Sequence, residues 1–100
     1  PRVHVVLAGH DHIYERFRPQ QSVTYIVCGA SGQLRRGDAR PDPELEAVED
    51  QQHVFMLWEA TPDLLRFRAI NEAGKAFDCG IFGASGQSQS VPCGALADFR

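Results

Sequence analysis

Two short apolar runs rich in β-branched residues, each closed by glycine, constrain the first third of this chain to β-structure. The run Val3–Leu7 leads directly into Ala8 and Gly9, and the run Ser22–Cys28 leads into Gly29. Runs of this length and composition are typical of buried strands, and a glycine after a strand indicates a tight turn. The sequence therefore predicts two buried strands that end in glycine loops, where the backbone can approach other groups closely.

Three further runs predict an antiparallel meander in the second half of the chain. The first strand, over residues 54–60, is apolar on both faces, which predicts that it is covered on both sides. Its two faces consist of Val54, Met56 and Trp58, and of Phe55 and Leu57. Residues 64–70 alternate apolar side chains with arginines and predict a half-solvated strand. The last strand is expected to turn three residues inward, namely Phe77, Cys79 and Ile81.

Two polar segments interrupt or follow these strands. Residues 34–52 are rich in charges and contain Pro41 and Pro43, which predicts a surface loop with one helical turn near residues 43–48. Residues 83–100 are rich in glycine, serine and glutamine, which is typical of a flexible tail. The chain is therefore expected to form a single folded unit over residues 1–82, followed by a flexible tail.

The composition of the chain limits its domain size and the kinds of partner that it is expected to bind. A chain of 100 residues makes at most one small domain, and 43% hydrophobic with 23% charged residues is an ordinary globular composition. The formal net charge of −3 gives no basic excess, so neither a nucleic acid nor an anionic membrane is favoured as a partner. No apolar run approaches the roughly 20 residues that a membrane-spanning helix requires.

The three cysteines are too few and too scattered for a disulfide scaffold or a cysteine-rich zinc site. Cys28 lies in a predicted strand and is expected to be a small buried hydrophobe. Cys79 and Cys93 can pair if the parent protein is exported, and the sequence leaves that alternative open. A periplasmic or secreted location is slightly favoured over a cytoplasmic one.

The segment Gly9–His12, with the sequence Gly-His-Asp-His, carries the sharpest chemical signal. Two imidazoles at positions i and i+2 of an extended backbone project to the same side. His10 and His12 can therefore bind one metal ion together, or one each of two neighbouring ions. Imidazole suits iron, zinc, manganese and nickel, so the ligand type does not choose the metal. Gly9 is expected to be the structural turn residue at which the chain bends around the ions.

In this context the chain resembles the C-terminal part of the calcineurin-like metallophosphoesterases, closest to the purple acid phosphatase-like branch. The segment Val5–His12 is similar to the last metal-binding motif of that family, and Tyr14–Arg16 is similar to the purple acid phosphatases. The resemblance covers roughly residues 3–82. It implies an α/β fold, an α/β/β/α sandwich of which this mostly β piece is the C-terminal portion. The absence of an initiator Met before the first strand also predicts a start in the middle of a fold, with the N-terminal half of the domain as its partner.

The resemblance implies dinuclear metal chemistry. His10 would bind one of two ions (iron, zinc or manganese) and His12 would bind its neighbour, for the hydrolysis of a phosphomonoester or another phosphoester substrate. The family also requires a bridging Asp and a general-acid His, and neither has a counterpart in these 100 residues. The piece alone is therefore expected to be inactive. Tyr14 either lines the substrate pocket or packs as an ordinary tyrosine.

Less specific roles are expected for the other polar residues. Asp11 can orient a neighbouring imidazole, although its side chain is expected to point away from the two histidines. Glu15 and Arg16 are expected to form a structural ion pair or anchor loops, and His4 and His53 are expected not to be ligands. The loop Gly29–Gly32 can close over the site.

Three other functions stay open beside the phosphatase. A phosphodiesterase of the same superfamily would use the same site. A β-rich accessory or interaction module would use no metal, and a degenerate homologue would keep the fold and bind a partner without catalysis.

Overall fold

A computed structural model describes residues 3–84 and 87–96 of the chain. These residues form eight β-strands and one 3-10 helix, with no α-helix among them. The strands are β1 (Val5–Ala8), β2 (Tyr14–Phe17), β3 (Thr24–Cys28), β4 (Leu45–Glu49), β5 (Val54–Ala60), β6 (Leu64–Asn71), β7 (Ala76–Gly83) and β8 (Ser88–Val91), and the 3-10 helix is Cys93–Leu96. The prediction of a mostly β chain is confirmed.

The strands form two four-stranded sheets that share one core. The first sheet has the order β1-β3-β2-β4, and the second has the order β5-β6-β7-β8. β1 and β3 are parallel, whereas every other pair is antiparallel. The core between the sheets is built from Tyr14, Ile26, Val54, Phe67, Ala69 and Phe82. Trp58 completes it, with its ring centroid 5.1 Å from that of Phe67.

The predicted meander is confirmed as β5, β6 and β7, but β5 is not covered on both faces. Met56 and Trp58 pack against the core as predicted, whereas Phe55 is 51% and Leu57 is 41% exposed. β5 is the edge strand of its sheet, and in the described residues no layer lies over its outer face. An apolar pattern on both faces was therefore not sufficient to predict burial on both.

The first strand is likewise less buried than predicted. β1 begins at Val5 rather than Val3, and Leu7 is 54% exposed. β1 lies at the edge of the first sheet and pairs only with β3 in the described residues. An edge strand leaves one row of backbone groups and part of its side chains uncovered, whatever their hydrophobicity.

The helical turn predicted near residues 43–48 is wrong, because residues 45–49 form strand β4. β4 pairs antiparallel with β2, with Arg16 opposite Ala47 and Tyr14 opposite Glu49. Ala47 packs against the core in this register. Pairing with a distant strand has overridden the weak local preference of the segment.

The predicted inward face of β7 is confirmed for Phe77, which packs against the core beside a β-bulge, but is wrong for Cys79 and Ile81. Asp78, Gly80 and Phe82 lie opposite Ala69, Phe67 and Leu65 of β6 and turn toward the first sheet. Cys79 and Ile81 belong to a small apolar cluster on the other face. Because side chains alternate along a strand, a change of one residue in register exchanges the two faces completely.

Part of the tail expected to be flexible from residue 83 onward is ordered. β8 pairs with β7 along four residues, and a disulfide joins Cys79 to Cys93 with a Cα–Cα distance of 5.3 Å. The strand pairing and the covalent link attach residues 88–93 to the second sheet. Residues 85–86 and 97–100, which belong to the same prediction, lie outside the described residues.

Candidate functional site

The histidine motif lies on a tight turn that follows β1. The backbone N–H of Asp11 donates to the carbonyl oxygen of Gly9 at 3.0 Å, and the intervening His10 has a φ of 77°. This bond and this φ belong to a γ-turn with positive φ at its central residue, which is rare and strained. A non-glycine residue in such a conformation costs on the order of 1–3 kcal/mol and must be held by its surroundings.

Gly29 holds this turn from the neighbouring strand end. A Cβ on Gly29 would lie 2.2 Å from the carbonyl oxygen and 3.0 Å from the carbonyl carbon of Asp11. The N–H of Gly29 also donates to the carbonyl oxygen of Ile13 at 3.2 Å. Gly29 therefore packs directly on the histidine turn, whereas Gly32 of the same loop has no atom within 4 Å of its Cβ position.

The structure places the requirement for glycine at Gly29 rather than at Gly9. Gly9 accepts the hydrogen bond of the γ-turn, but a Cβ there would meet nothing within 4 Å. The positive φ of the turn falls on His10 instead. Close backbone approach, and not the bend itself, is what excludes a side chain here.

His10 and His12 line the same open cleft, which has a volume of about 300 Å³. Its other lining residues are Asp11, Arg35 and Asp38. His10 is exposed and His12 is half-buried, so solvent reaches this part of the cleft. Asp11 also lines the cleft. That its side chain points away from the histidines stays a prediction.

The donors of the cleft fit metal ions in type but not in number. Neutral imidazoles are good ligands for zinc, iron and manganese. Within residues 3–84 and 87–96, however, no group of three or more His, Cys, Asp or Glu side chains is arranged to hold an ion. A complete centre would require further ligands in addition to these two histidines.

A loop from the charged segment forms the other wall of the cleft. The N–H of Arg35 donates to the carbonyl oxygen of His12 at 3.0 Å, and the N–H of Asp38 donates to the carbonyl oxygen of Arg35 at 3.3 Å. Asp50 anchors the end of this loop through hydrogen bonds from the N–H groups of Gly37 and Ala39. The sequence indicated only solvated charges here and missed Arg35 and Asp38, because nothing local shows which loop reaches the histidines.

The structure places Tyr14 in the core, the packed alternative, rather than against a pocket. Its side chain is fully buried, and its hydroxyl donates to Oδ2 of Asp78 at 2.6 Å. Its ring meets that of Phe77 edge to face, with centroids 5.3 Å apart. Burial, followed by the charge of Asp78, raises the pKa of the Tyr14 hydroxyl far above its usual value.

Arg16 forms a structural ion pair, but not with Glu15. Its Nε and one terminal nitrogen donate to the two carboxylate oxygens of Asp78, both at 2.9 Å. Its other terminal nitrogen donates to Glu46 at 2.7 Å, and Ser90 accepts a fourth bond at 3.1 Å. Burial alone would lower the pKa of Arg16, but the hydrogen bonds and charge of Asp78 and then Glu46 raise it. This buried pair joins the two sheets.

Glu15, His4 and His53 take no part in the ion pair of Arg16 with Asp78. Burial, followed by the charges of Asp11 and other carboxylates, raises the pKa of Glu15. His53 approaches Glu72 through Nδ1 at 3.3 Å, and this contact lowers the pKa of Glu72. His4 lines a separate cleft beside the β5–β6 turn.

The buried tyrosine predicts a specific dependence of stability on pH. Its pKa is raised on folding, so its contribution is fully present below about pH 10, the usual tyrosine pKa, and is lost as pH rises further. We expect the free energy of unfolding to fall by up to about 1.4 kcal/mol per pH unit above that point. Urea unfolding of Tyr14→Phe should show a weaker dependence between about pH 9 and 11.5. Tyr25→Phe, which changes an exposed tyrosine, is the matched control; equal pH dependence in both variants would contradict the assignment.

No protein-family model matches the chain, and no curated protein matches it significantly. Among the described residues, no helix is long and apolar enough to cross a membrane.

Proposed function

We propose that this chain is the C-terminal part of a calcineurin-like metallophosphoesterase of the purple acid phosphatase-like branch. In this proposal the whole protein hydrolyses a phosphomonoester at a dinuclear metal centre. His10 binds one ion and His12 binds its neighbour. The bridging carboxylate, the general acid and the remaining ligands come from the N-terminal half of the same domain.

The observation that carries the proposal is the strained turn under His10. A φ of 77° is costly for histidine, whereas glycine would adopt it readily. The turn is nevertheless held in place by Gly29, and it brings His10 to the same cleft as His12. Strain that the surroundings maintain in this way is concentrated at functional sites.

The residues of this chain would hold and orient the centre. The hydrogen bond from the N–H of Arg35 to the carbonyl oxygen of His12 limits movement of one ligand, and the contact with Gly29 limits movement of the other. When bound at His10 and His12, two metal ions would supply an activated hydroxide and would neutralise charge on the phosphoryl oxygens.

Metal content of the full-length protein tests the proposal. We expect about two ions per protein molecule in the wild type, and about one fewer in His10→Ala and in His12→Ala. His53→Ala, which removes an imidazole from outside the cleft, should retain the wild-type content. Elemental analysis after gel filtration measures the ratio, and p-nitrophenyl phosphate and its bis-ester distinguish a monoesterase from a diesterase. Unchanged metal content in both cleft variants would remove the ligand assignment, and a metal-free wild type would favour the accessory module.

The disulfide supports an export location for the parent protein. Cys79 and Cys93 are joined, and such bonds persist in oxidising compartments such as the periplasm or the extracellular space. A periplasmic or secreted phosphatase is therefore the form of the proposal that we favour.

A further inference from the structure

Arg35 has a fixed place beside the two histidines. It lines the same cleft as His10 and His12, and its own backbone N–H is bonded to the carbonyl oxygen of His12 at 3.0 Å. The start of its side chain is therefore held at a constant distance from a proposed ligand. Gly37 and Ala39 follow Arg35 in the same loop, and their backbone N–H groups donate hydrogen bonds to Asp50.

The guanidinium of Arg35 makes no hydrogen bond or ion pair with the described residues. The two carboxylates that share the cleft, Asp11 and Asp38, form no ion pair with it within those parts of the chain. Other arginines nearby are engaged. Arg16 is held by Asp78 and Glu46, and Arg36 donates from Nε to the carbonyl oxygen of Gln51 at 3.2 Å. Arg35 is thus an exposed lining residue of the cleft whose guanidinium has no partner among the described residues.

We propose that Arg35 is the substrate-binding residue that recognises the phosphoryl group, and this inference rests on the proposed function. A guanidinium is planar and can donate two parallel hydrogen bonds to a pair of phosphoryl oxygens. A phosphomonoester dianion offers three terminal oxygens and two charges, whereas a diester offers two terminal oxygens and one charge. Arg35 therefore favours phosphomonoesters over phosphodiesters.

The test compares Arg35→Ala with the adjacent Arg36→Ala in the metal-loaded full-length protein. Inorganic phosphate is the binding probe, measured by calorimetry, and p-nitrophenyl phosphate and its bis-ester are the substrates. We expect Arg35→Ala to weaken phosphate binding and to lower kcat/KM for the monoester by about 10- to 100-fold, the usual effect of losing hydrogen bonds to a charged group. The diester should be affected less, metal content should not change, and Arg35→Lys should restore part of the affinity for phosphate. Arg36→Ala should behave as the wild type.

Three results would overturn the inference, and they are distinguishable. Equal phosphate affinity in Arg35→Ala and Arg36→Ala, with metal retained, would exclude Arg35 as the phosphate-binding residue and leave the proposed function intact. Equal losses on the monoester and the diester, with unchanged affinity for phosphate, would indicate a structural role. A wild-type protein that holds neither metal nor phosphate would overturn both proposals together.

Discussion

Replacement of Asp78 by alanine is expected to lower the free energy of unfolding by about 3–5 kcal/mol, the usual cost of removing one partner of a buried ion pair. Asp78 accepts hydrogen bonds from Arg16 and from the Tyr14 hydroxyl, and all three side chains are buried. Without the carboxylate, the Arg16 charge keeps only Glu46 and Ser90, and the Tyr14 hydroxyl has no partner among the described residues. Urea unfolding, followed by the fluorescence of the single tryptophan, Trp58, measures the change.

Two further variants separate the charge from the packing. Asp63→Ala removes an exposed carboxylate from a turn and should change stability by less than about 0.5 kcal/mol. Replacing both partners, as in the double variant Arg16→Met with Asp78→Leu, should be less damaging than Asp78→Ala, because no buried charge is left uncompensated. If Asp78→Ala lowers the free energy of unfolding no more than Asp63→Ala does, the buried ion pair does not stabilise the packing of the two sheets.

Gly29→Ala is expected to reduce activity of the full-length protein by about 100-fold, since a displacement of about 1 Å at a reacting centre can have that effect. The new methyl group would meet the carbonyl group of Asp11 at 2.2 Å from its oxygen. That group is backbone and cannot rotate away as a side chain would, so the turn that carries His10 must move. Overpacking of this kind also lowers stability by about 1–3 kcal/mol.

Gly9→Ala provides the matched control for this prediction. Gly9 lies in the same turn, but a Cβ there meets nothing within 4 Å. Its variant should keep the metal content of the wild type and an activity within a few-fold of it. Equal activities of Gly9→Ala and Gly29→Ala, measured by steady-state kinetics, would contradict the view that Gly29 positions the histidines.

The elements predicted well are those whose signal is local. β3, β5 and β6 have apolar or alternating patterns bounded by turn residues, and the structure has strands at those positions. β4 had no such signal, since it is a strand only through its pairing with β2. The inward face of β7 was also unpredictable from its own residues, because it depends on the partner that Asp78 finds on another sheet.

Only part of the candidate site could likewise be predicted from the sequence. His10 and His12 line one cleft, but the extended backbone on which that prediction rested is wrong, because the chain makes a γ-turn with positive φ at His10. Arg35 joins them only because its backbone bonds to His12 across a loop, which no pattern in residues 34–52 reveals. Gly29 is required for its contact with Asp11, a distance between two separate turns. Contacts of this kind form only when the chain folds, so local sequence patterns do not reveal them.

Anomalous scattering from crystals of the metal-loaded full-length protein can locate metal ions bound at the two histidines. We expect two peaks at the metal absorption edge, about 3.5–4 Å apart, one beside the His10 ring and one beside the His12 ring. Crystals that show no peak at either ring, or a single peak remote from both, would contradict that expectation.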